Sequence, residues 1–136
     1  MARRYLSSGS PWEALAGYSR AVADGRWVLV SGTVGTDLRA SAREQAGQAL
    51  DIIERALQGA RASLGDVVRV RVFVPRRADV AAVSQVLKQR LGHARAANTT
   101  VCAPLAVAGA RVEIEVSALR SRPKPLRTSG RARRLR

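Results

Sequence analysis

Few residues in this chain of 136 amino acids have the type and spacing that chemistry at a protein site requires. Glu113 and Glu115 stand two positions apart, so on a strand they would share a face and lie roughly 7 Å from each other. Paired carboxylates can perform acid–base chemistry, and they are also typical of a solvated strand face. His93 is the single histidine and has no recognisable catalytic partner. The single cysteine, Cys102, is interpreted as a small buried residue rather than a nucleophile.

Other classes of site lack the residues that they need. No Cys/His set has the spacing of metal ligands, so no metal site is predicted. Gly32 and Gly35 have neither the spacing nor the lysine of a phosphate-binding loop. The five aromatic residues are scattered, whereas single-stranded nucleic acid is usually held by aromatic side chains beside basic charge.

Half of the formal net charge of +14 lies in the last sixteen residues, and the other half is spread over residues 1–120. Residues 121–136 contain seven Lys or Arg and no acid, which predicts a disordered basic tail. Such a tail can contact nucleic acid non-specifically through phosphates, or it is only a solvated extension. Residues 1–120 have the size of one domain. No apolar run is long enough for a membrane span or a signal-peptide core, so we expect a cytoplasmic protein without membrane contact.

Hydrophobic periodicity predicts the order β-β-α-β-α-β-β. Ser41 and Glu44 match a capping box, and a 3.6-residue apolar stripe follows them, which indicates a long amphipathic helix. Asp79 is expected to cap a second helix. The predicted strands cover residues 18–23 and 27–30, joined by an Asp24-Gly25 turn, and residues 67–74, 99–102 and 111–119.

Two helices can cover only one face of such a sheet. The other face must therefore find cover elsewhere, and the natural source is another copy of the chain. The element order by itself thus indicates an oligomer.

Seven segments together resemble the RidA/YjgF family, in that family's order and with its spacing, over roughly residues 10–120. The ordered set is specific to this family, and the opening SGSPWEALAGYSRAV looks like a divergent branch of it. The segments are GYSRAV (17–22), WVLVSGT (27–33), EQAGQALDIIERAL (44–57), ASLGDVVRVRVFV (62–74), ADVAAV (78–83), NTTV (98–101) and RVEIEVSA (111–118).

The resemblance implies an α+β, chorismate-mutase-like fold, with a mixed sheet and two helices on one face. It also implies a homotrimer with a central barrel and three clefts between subunits. In the deaminating members this cleft hydrolyses 2-imino or enamine acids to 2-oxo acids and ammonia, without metal or organic cofactor. Other members are described as endoribonucleases or translation inhibitors.

Four family site residues have counterparts in this chain. Tyr18 matches the cleft tyrosine, and Ser31 and Gly32 match a turn whose backbone faces the ligand. Glu113 matches the glutamate that helps to place water. The resemblance thus implies a catalytic role for Glu113 and substrate-binding roles for the other three.

The chain departs from the family at four positions. Asn98 aligns with the arginine that holds the substrate carboxylate, Thr100 with a frequent cysteine, and Leu91 with an aromatic residue that often lines the cleft. Arg61 replaces a glycine, a change that costs on the order of 1 kcal/mol if the position needs a positive φ. Arg95 lies three residues before Asn98 in a predicted loop.

The change at Asn98 has the largest chemical consequence. A guanidinium holds a carboxylate through two charge-assisted hydrogen bonds of very roughly 1.5–3 kcal/mol each, and an asparagine amide cannot reproduce that fork. Losing about 3 kcal/mol of anchoring would lower turnover efficiency more than a hundredfold.

The sequence therefore predicts a small-molecule-binding protein or cofactor-free hydrolase that is not a standard 2-imino-acid deaminase. Asn98, Thr100 and Leu91 are expected beside Tyr18, Ser31, Gly32 and Glu113. A residual deaminase that uses Arg95 as its anchor is one alternative. An RNA-binding or RNA-cleaving protein is the other, and no acid–base histidine pair or metal site supports cleavage.

Overall fold

The computed structural model describes residues 2–122, and these form a strand and a short helix followed by the predicted β-β-α-β-α-β-β order. The strands are β1 (Arg4–Leu6), β2 (Ala21–Asp24), β3 (Trp27–Thr33), β4 (Val67–Val74), β5 (Ala97–Cys102) and β6 (Glu113–Leu119). The helices are α1 (Pro11–Ala16), α2 (Ala42–Gly59) and α3 (Val80–Leu91). All but the first two residues of the basic tail lie outside the described residues, so its disorder and its contact with nucleic acid stay predictions.

The strands form one sheet in the order β1-β2-β3-β6-β4-β5. β4 and β5 are parallel and all other pairs are antiparallel, which confirms the predicted mixed sheet. The β2–β3 hairpin turns at Gly25, whose φ of +56° lies in the left-handed region that glycine tolerates. α3 joins the two parallel strands, which need such a long crossover.

The long helix α2 forms because its first turn is capped and one stripe is apolar. The Glu44 N–H donates to Ser41 Oγ at 3.1 Å, and the Ser41 N–H donates to Glu44 Oε2 at 3.2 Å, which confirms the capping box. Leu50, Ile53 and Leu57 of the stripe are fully buried between helix and sheet. Among the described residues, no helix has the length and apolar content to cross a membrane.

The two faces of the sheet differ in cover. Ile114, Val116 and Ala118 of β6 are buried under the helices, as the alternation in the sequence predicts. On the opposite face, Trp27 and Leu29 of β3 are each half exposed. This open face is the one for which the sequence predicts cover by another copy.

Buried Gln45 of α2 ties together the loops that precede α2 and β6. Its Nε2 donates to the carbonyl oxygens of Leu38, Ala40 and Gly109 at 3.1–3.3 Å. Its Oε1 accepts the Arg111 N–H at 2.8 Å. These bonds fix where the chain enters β6, two residues before Glu113.

Three local predictions were wrong. Asp79 makes no capping bond to α3, because its carboxylate instead binds the guanidinium of Arg111 at 2.8–3.1 Å. Cys102 is exposed rather than buried, because β5 is an edge strand whose residues are all exposed. β2 begins only at Ala21, since Tyr18 belongs to the turn after α1.

Candidate functional site

Gly32 and Glu113 contact each other where β3 is irregular. The register of β3 against β6 shifts between Val30 and Thr33, and Gly32 lies within this shift. A Cβ at Gly32 would overlap Oε1 of Glu113 and lie 3.1 Å from its Cδ. Glycine at this position therefore lets the Glu113 carboxylate lie directly against the strand.

The segment that carries Tyr18 is held onto β3 by Ser31. Ser31 Oγ donates to the Ser19 carbonyl oxygen at 2.6 Å, and the Ser31 N–H donates to the Arg20 carbonyl oxygen at 3.0 Å. The Tyr18 N–H donates to the Glu13 carbonyl oxygen at 2.9 Å. The Tyr18 side chain is 41% exposed and can meet a ligand.

Arg20, which the sequence analysis did not single out, connects these residues. Its guanidinium donates to the Gly32 carbonyl oxygen at 3.0 Å and to Thr33 Oγ1 at 3.2 Å. The same group lies 5.9 Å from the centroid of the Tyr18 ring, a cation–π distance. No pattern in the sequence signals this role, since only the hairpin brings Arg20 beside Gly32.

Glu13 holds the N-terminal segment beside Arg20 and was also missed. Its side chain is buried, and its Oε2 accepts the Ser8 N–H at 3.1 Å and the Ser8 hydroxyl. The hydrogen bond from the Ser8 side chain lowers the pKa of Glu13, and the positive charge of Arg20 acts in the same direction. Glu13 is therefore an ionised anchor for the chain that leads to Tyr18.

Glu115 has different surroundings from Glu113. Its Oε1 accepts a hydrogen bond from Nη1 of Arg71 on β4 at 3.0 Å. Glu113 has no ion pair within 4.0 Å among residues 2–122. A shallow cavity of about 280 Å³ on the open face is lined by Ser31, Glu115 and Arg71, so this face offers both charges beside the candidate site.

Asn98 and Thr100 lie on edge strand β5, away from Glu113. Asn98 pairs with Val70, whose side chain points under the helices, whereas Glu113 pairs with Phe73 on the open face. Asn98 and Glu113 therefore point to opposite faces of the sheet. Gly32 is three strands from Asn98, about 14 Å at the usual spacing. The Thr100 hydroxyl donates to Asn98 Oδ1 at 3.0 Å, so these two form a polar pair of their own.

The remaining candidates are scattered. Leu91 is buried in the hydrophobic core at the end of α3, so it contributes nothing to the open face. Arg95 is exposed, has a φ of +50° and follows the short 3₁₀ helix Gly92–Ala94. Within residues 2–122, no group of three His, Cys, Asp or Glu is arranged to hold a metal ion. One chain thus brings together Tyr18, Ser31, Gly32 and Glu113, and holds Asn98 and Thr100 apart from them.

The fold and this surface define a class of protein. It is an α+β, chorismate-mutase-like chain with a mixed sheet and helices on one face, in which the Glu113 carboxylate lies against Gly32 of β3. The family model described as Endoribonuclease L-PSP matches residues 9–120, and the chain belongs to this family. The resemblance to RidA/YjgF proteins is thereby confirmed.

Similar proteins agree with that membership. A Capra hircus protein named 2-iminobutanoate/2-iminopropanoate deaminase is 33% identical over 138 residues, which cover 95% of this chain and 96% of that protein. A Dermatophagoides farinae protein of the same name is 29% identical over 119 residues, which cover 83% of this chain and 93% of that protein. The crystal structure of Rv2704 from Mycobacterium tuberculosis, a YjgF/YER057c/UK114 family member, has a TM-score of 0.82 at 39% identity, covering 87% of this chain and 99% of that chain.

Proposed function

We propose that this protein binds a small molecule, or hydrolyses one without a cofactor, in a cleft between copies of the chain. The observation that carries this proposal is the separation of Glu113 and Asn98 on opposite faces of the sheet. One copy cannot surround a ligand with both groups. A homotrimer, in which β5 of one copy lies beside β3 and β6 of the next, would complete the site.

Each group has a chemical role in the proposed cleft. The Glu113 carboxylate accepts a proton or hydrogen bond from a water or amine, and no ion pair among residues 2–122 competes for it. Gly32 has no side chain, so the β3 backbone is accessible beside that carboxylate. Tyr18 supplies a ring and a hydroxyl. Asn98 and Thr100 from a neighbouring copy supply neutral hydrogen bonds.

The ligand we propose is not a simple 2-imino carboxylate. Asn98 offers an amide where the family has a guanidinium, and its Oδ1 already accepts the Thr100 hydroxyl. A carboxylate would therefore lose about 3 kcal/mol of anchoring, which lowers turnover more than a hundredfold. A neutral polar ligand suits this amide–hydroxyl pair better.

An imine deaminase is the second candidate. The contact between Glu113 and Gly32 supports it, because a carboxylate beside the strand backbone could act on a water or amine there. Two of the relatives carry names that describe this activity. For this chain, exposed Arg95 would then have to provide the carboxylate anchor.

The test measures hydrolysis of 2-iminobutanoate generated by an amino-acid oxidase, followed as loss of the semicarbazone-trapped imine. Wild type, Asn98→Arg and Arg95→Ala are compared with a relative that carries the family arginine. Gln89→Arg, on an exposed part of α3, is the control that adds the same charge elsewhere. We expect wild-type turnover at least about a hundredfold below the relative. We expect a partial gain in Asn98→Arg and none in Gln89→Arg.

Wild-type turnover equal to that of the relative would show that the Asn98 argument is wrong. If Arg95→Ala then abolished the activity, Arg95 would be the anchor and the second candidate would be correct. No turnover in any variant would favour binding as the function.

A further inference from the structure

A cavity of about 610 Å³ lies between residues 6–10, residues 34–36 and the outer side of α2. Its volume is in the range of sites that hold small ligands. Neither Glu113 nor Asn98 lines it. Arg20 lines it and also donates to Gly32.

The lining of this cavity is basic. Arg20 and Arg55 contribute two guanidinium groups, and no Asp or Glu is among the described residues that line it. Arg55 forms no salt bridge within residues 2–122. Nε of Arg20 is buried and has no hydrogen-bond partner there. Glu13 does not line the cavity, but its carboxylate, which accepts hydrogen bonds from Ser8, offsets part of the charge of Arg20, so Arg55 is the main cation for a ligand.

Hydroxyl groups add further donors around the two arginines. Ser7 Oγ accepts the Gly9 N–H at 3.0 Å, and its hydroxyl is turned to the Glu13 carboxylate, whose pKa it helps to lower. Ser10 makes no side-chain capping bond to α1, and Thr36 also lines the cavity. The remaining wall is apolar and includes Ile52. Two positive charges with hydroxyl donors suit a dianionic oxyanion, and the apolar wall suits a compact hydrocarbon group.

We propose that this cavity binds a small phosphate monoester. Arg55 and Arg20 contact the phosphate oxygens, the hydroxyls of Ser10 and Thr36 donate further hydrogen bonds to those oxygens, and the organic group packs on Ile52. A phosphate monoester carries a charge of about −1.5 to −2 at pH 7, which suits a basic cavity in which Arg55 forms no salt bridge within residues 2–122. The cavity shares Arg20 with the surface that carries Glu113, but Glu113 itself does not line it.

The test is calorimetric titration of the full chain with phenyl phosphate and with inorganic phosphate, at constant ionic strength. Arg55→Gln should weaken phenyl phosphate binding about tenfold, because it removes charge-assisted hydrogen bonds. Arg55→Lys should have an intermediate effect, because it keeps the charge but loses the planar fork. Arg77→Gln is the matched control, since Arg77 is exposed, lies outside this cavity and carries the same charge.

The proposal expects tight binding of phenyl phosphate, weaker binding of inorganic phosphate, and no effect of Arg77→Gln. Equal weakening by Arg55→Gln and Arg77→Gln would overturn it, since the anion would then respond only to the net charge of +14. Equal affinity for the two phosphates would overturn the monoester assignment. A changed molecular mass of Arg55→Gln would also overturn it, because Arg55 would then belong to a contact between copies.

Discussion

Gly32→Ala tests the contact on which the candidate site is built. The three nearest atoms to an added Cβ all belong to the Glu113 side chain, and the φ of Gly32 is outside the left-handed region. The backbone thus accepts alanine, but Glu113 must leave its rotamer, at a cost of about 0.5–1.5 kcal/mol. Alanine also restricts the unfolded chain, which contributes about 0.4–1 kcal/mol of stability. We expect a net destabilisation of about 0.5 kcal/mol.

Removing the Glu113 side chain should reverse the sign of that effect. In a Glu113→Ala background the overlap is gone, so Gly32→Ala should stabilise the protein by about 0.5 kcal/mol. The coupling free energy from urea unfolding of the four proteins should therefore be about 1 kcal/mol. Gly47→Ala serves as control, because no atom lies within 4 Å of its added Cβ and it should not couple to Glu113. Additive effects of Gly32→Ala and Glu113→Ala would refute the contact.

Three further predictions concern the elements around the site. Gly35→Ala should destabilise the protein by about 2 kcal/mol in urea unfolding, because its Cβ would lie 2.9 Å from Gln45 Cα; unchanged stability would contradict this close packing. Arg61→Gly should raise stability by up to about 1 kcal/mol, because Arg61 has a φ of +61°, and a loss would show that no strain is stored there. Glu13→Gln should lower the free energy of unfolding by about 1 kcal/mol at pH 7. Because the pKa of Glu13 is lowered, its carboxylate stabilises the fold above the ordinary value of 4.5, and the difference should vanish as pH falls through the lowered pKa; a penalty independent of pH would contradict the anchor.

Local patterns predicted the fold well, because the signals for α2 and β6 are short-range. The capping box joins Ser41 to Glu44 within one helical turn, and the alternation of apolar and polar residues around Ile114 lies within a single strand. Arg61 has a φ of +61°, so the condition under which the sequence analysis expected a cost for replacing glycine is met. These features depend on residues close together in the chain.

The errors concern contacts between residues far apart in the chain. Asp79 was expected to cap its own helix, but a guanidinium 32 residues away takes its carboxylate. Cys102 was expected to be buried because its neighbours are apolar, but burial depends on which strand lies at the edge of the sheet. Arg20 was missed for the same reason, since only the hairpin brings it beside Gly32. Glu13 was missed although its partner Ser8 is only five residues away, because no sequence pattern signals the N-terminal turn that joins them.

The molecular mass of the full chain at micromolar concentration tests the central claim most directly. The proposed site needs groups on β5 from one copy beside Glu113 and Gly32 of another, and three copies would cover the open face of the sheet. Light scattering should then give about three times the chain mass of 14.6 kDa. A stable particle of 14.6 kDa would contradict the account, because no second copy would bring Asn98 to Glu113.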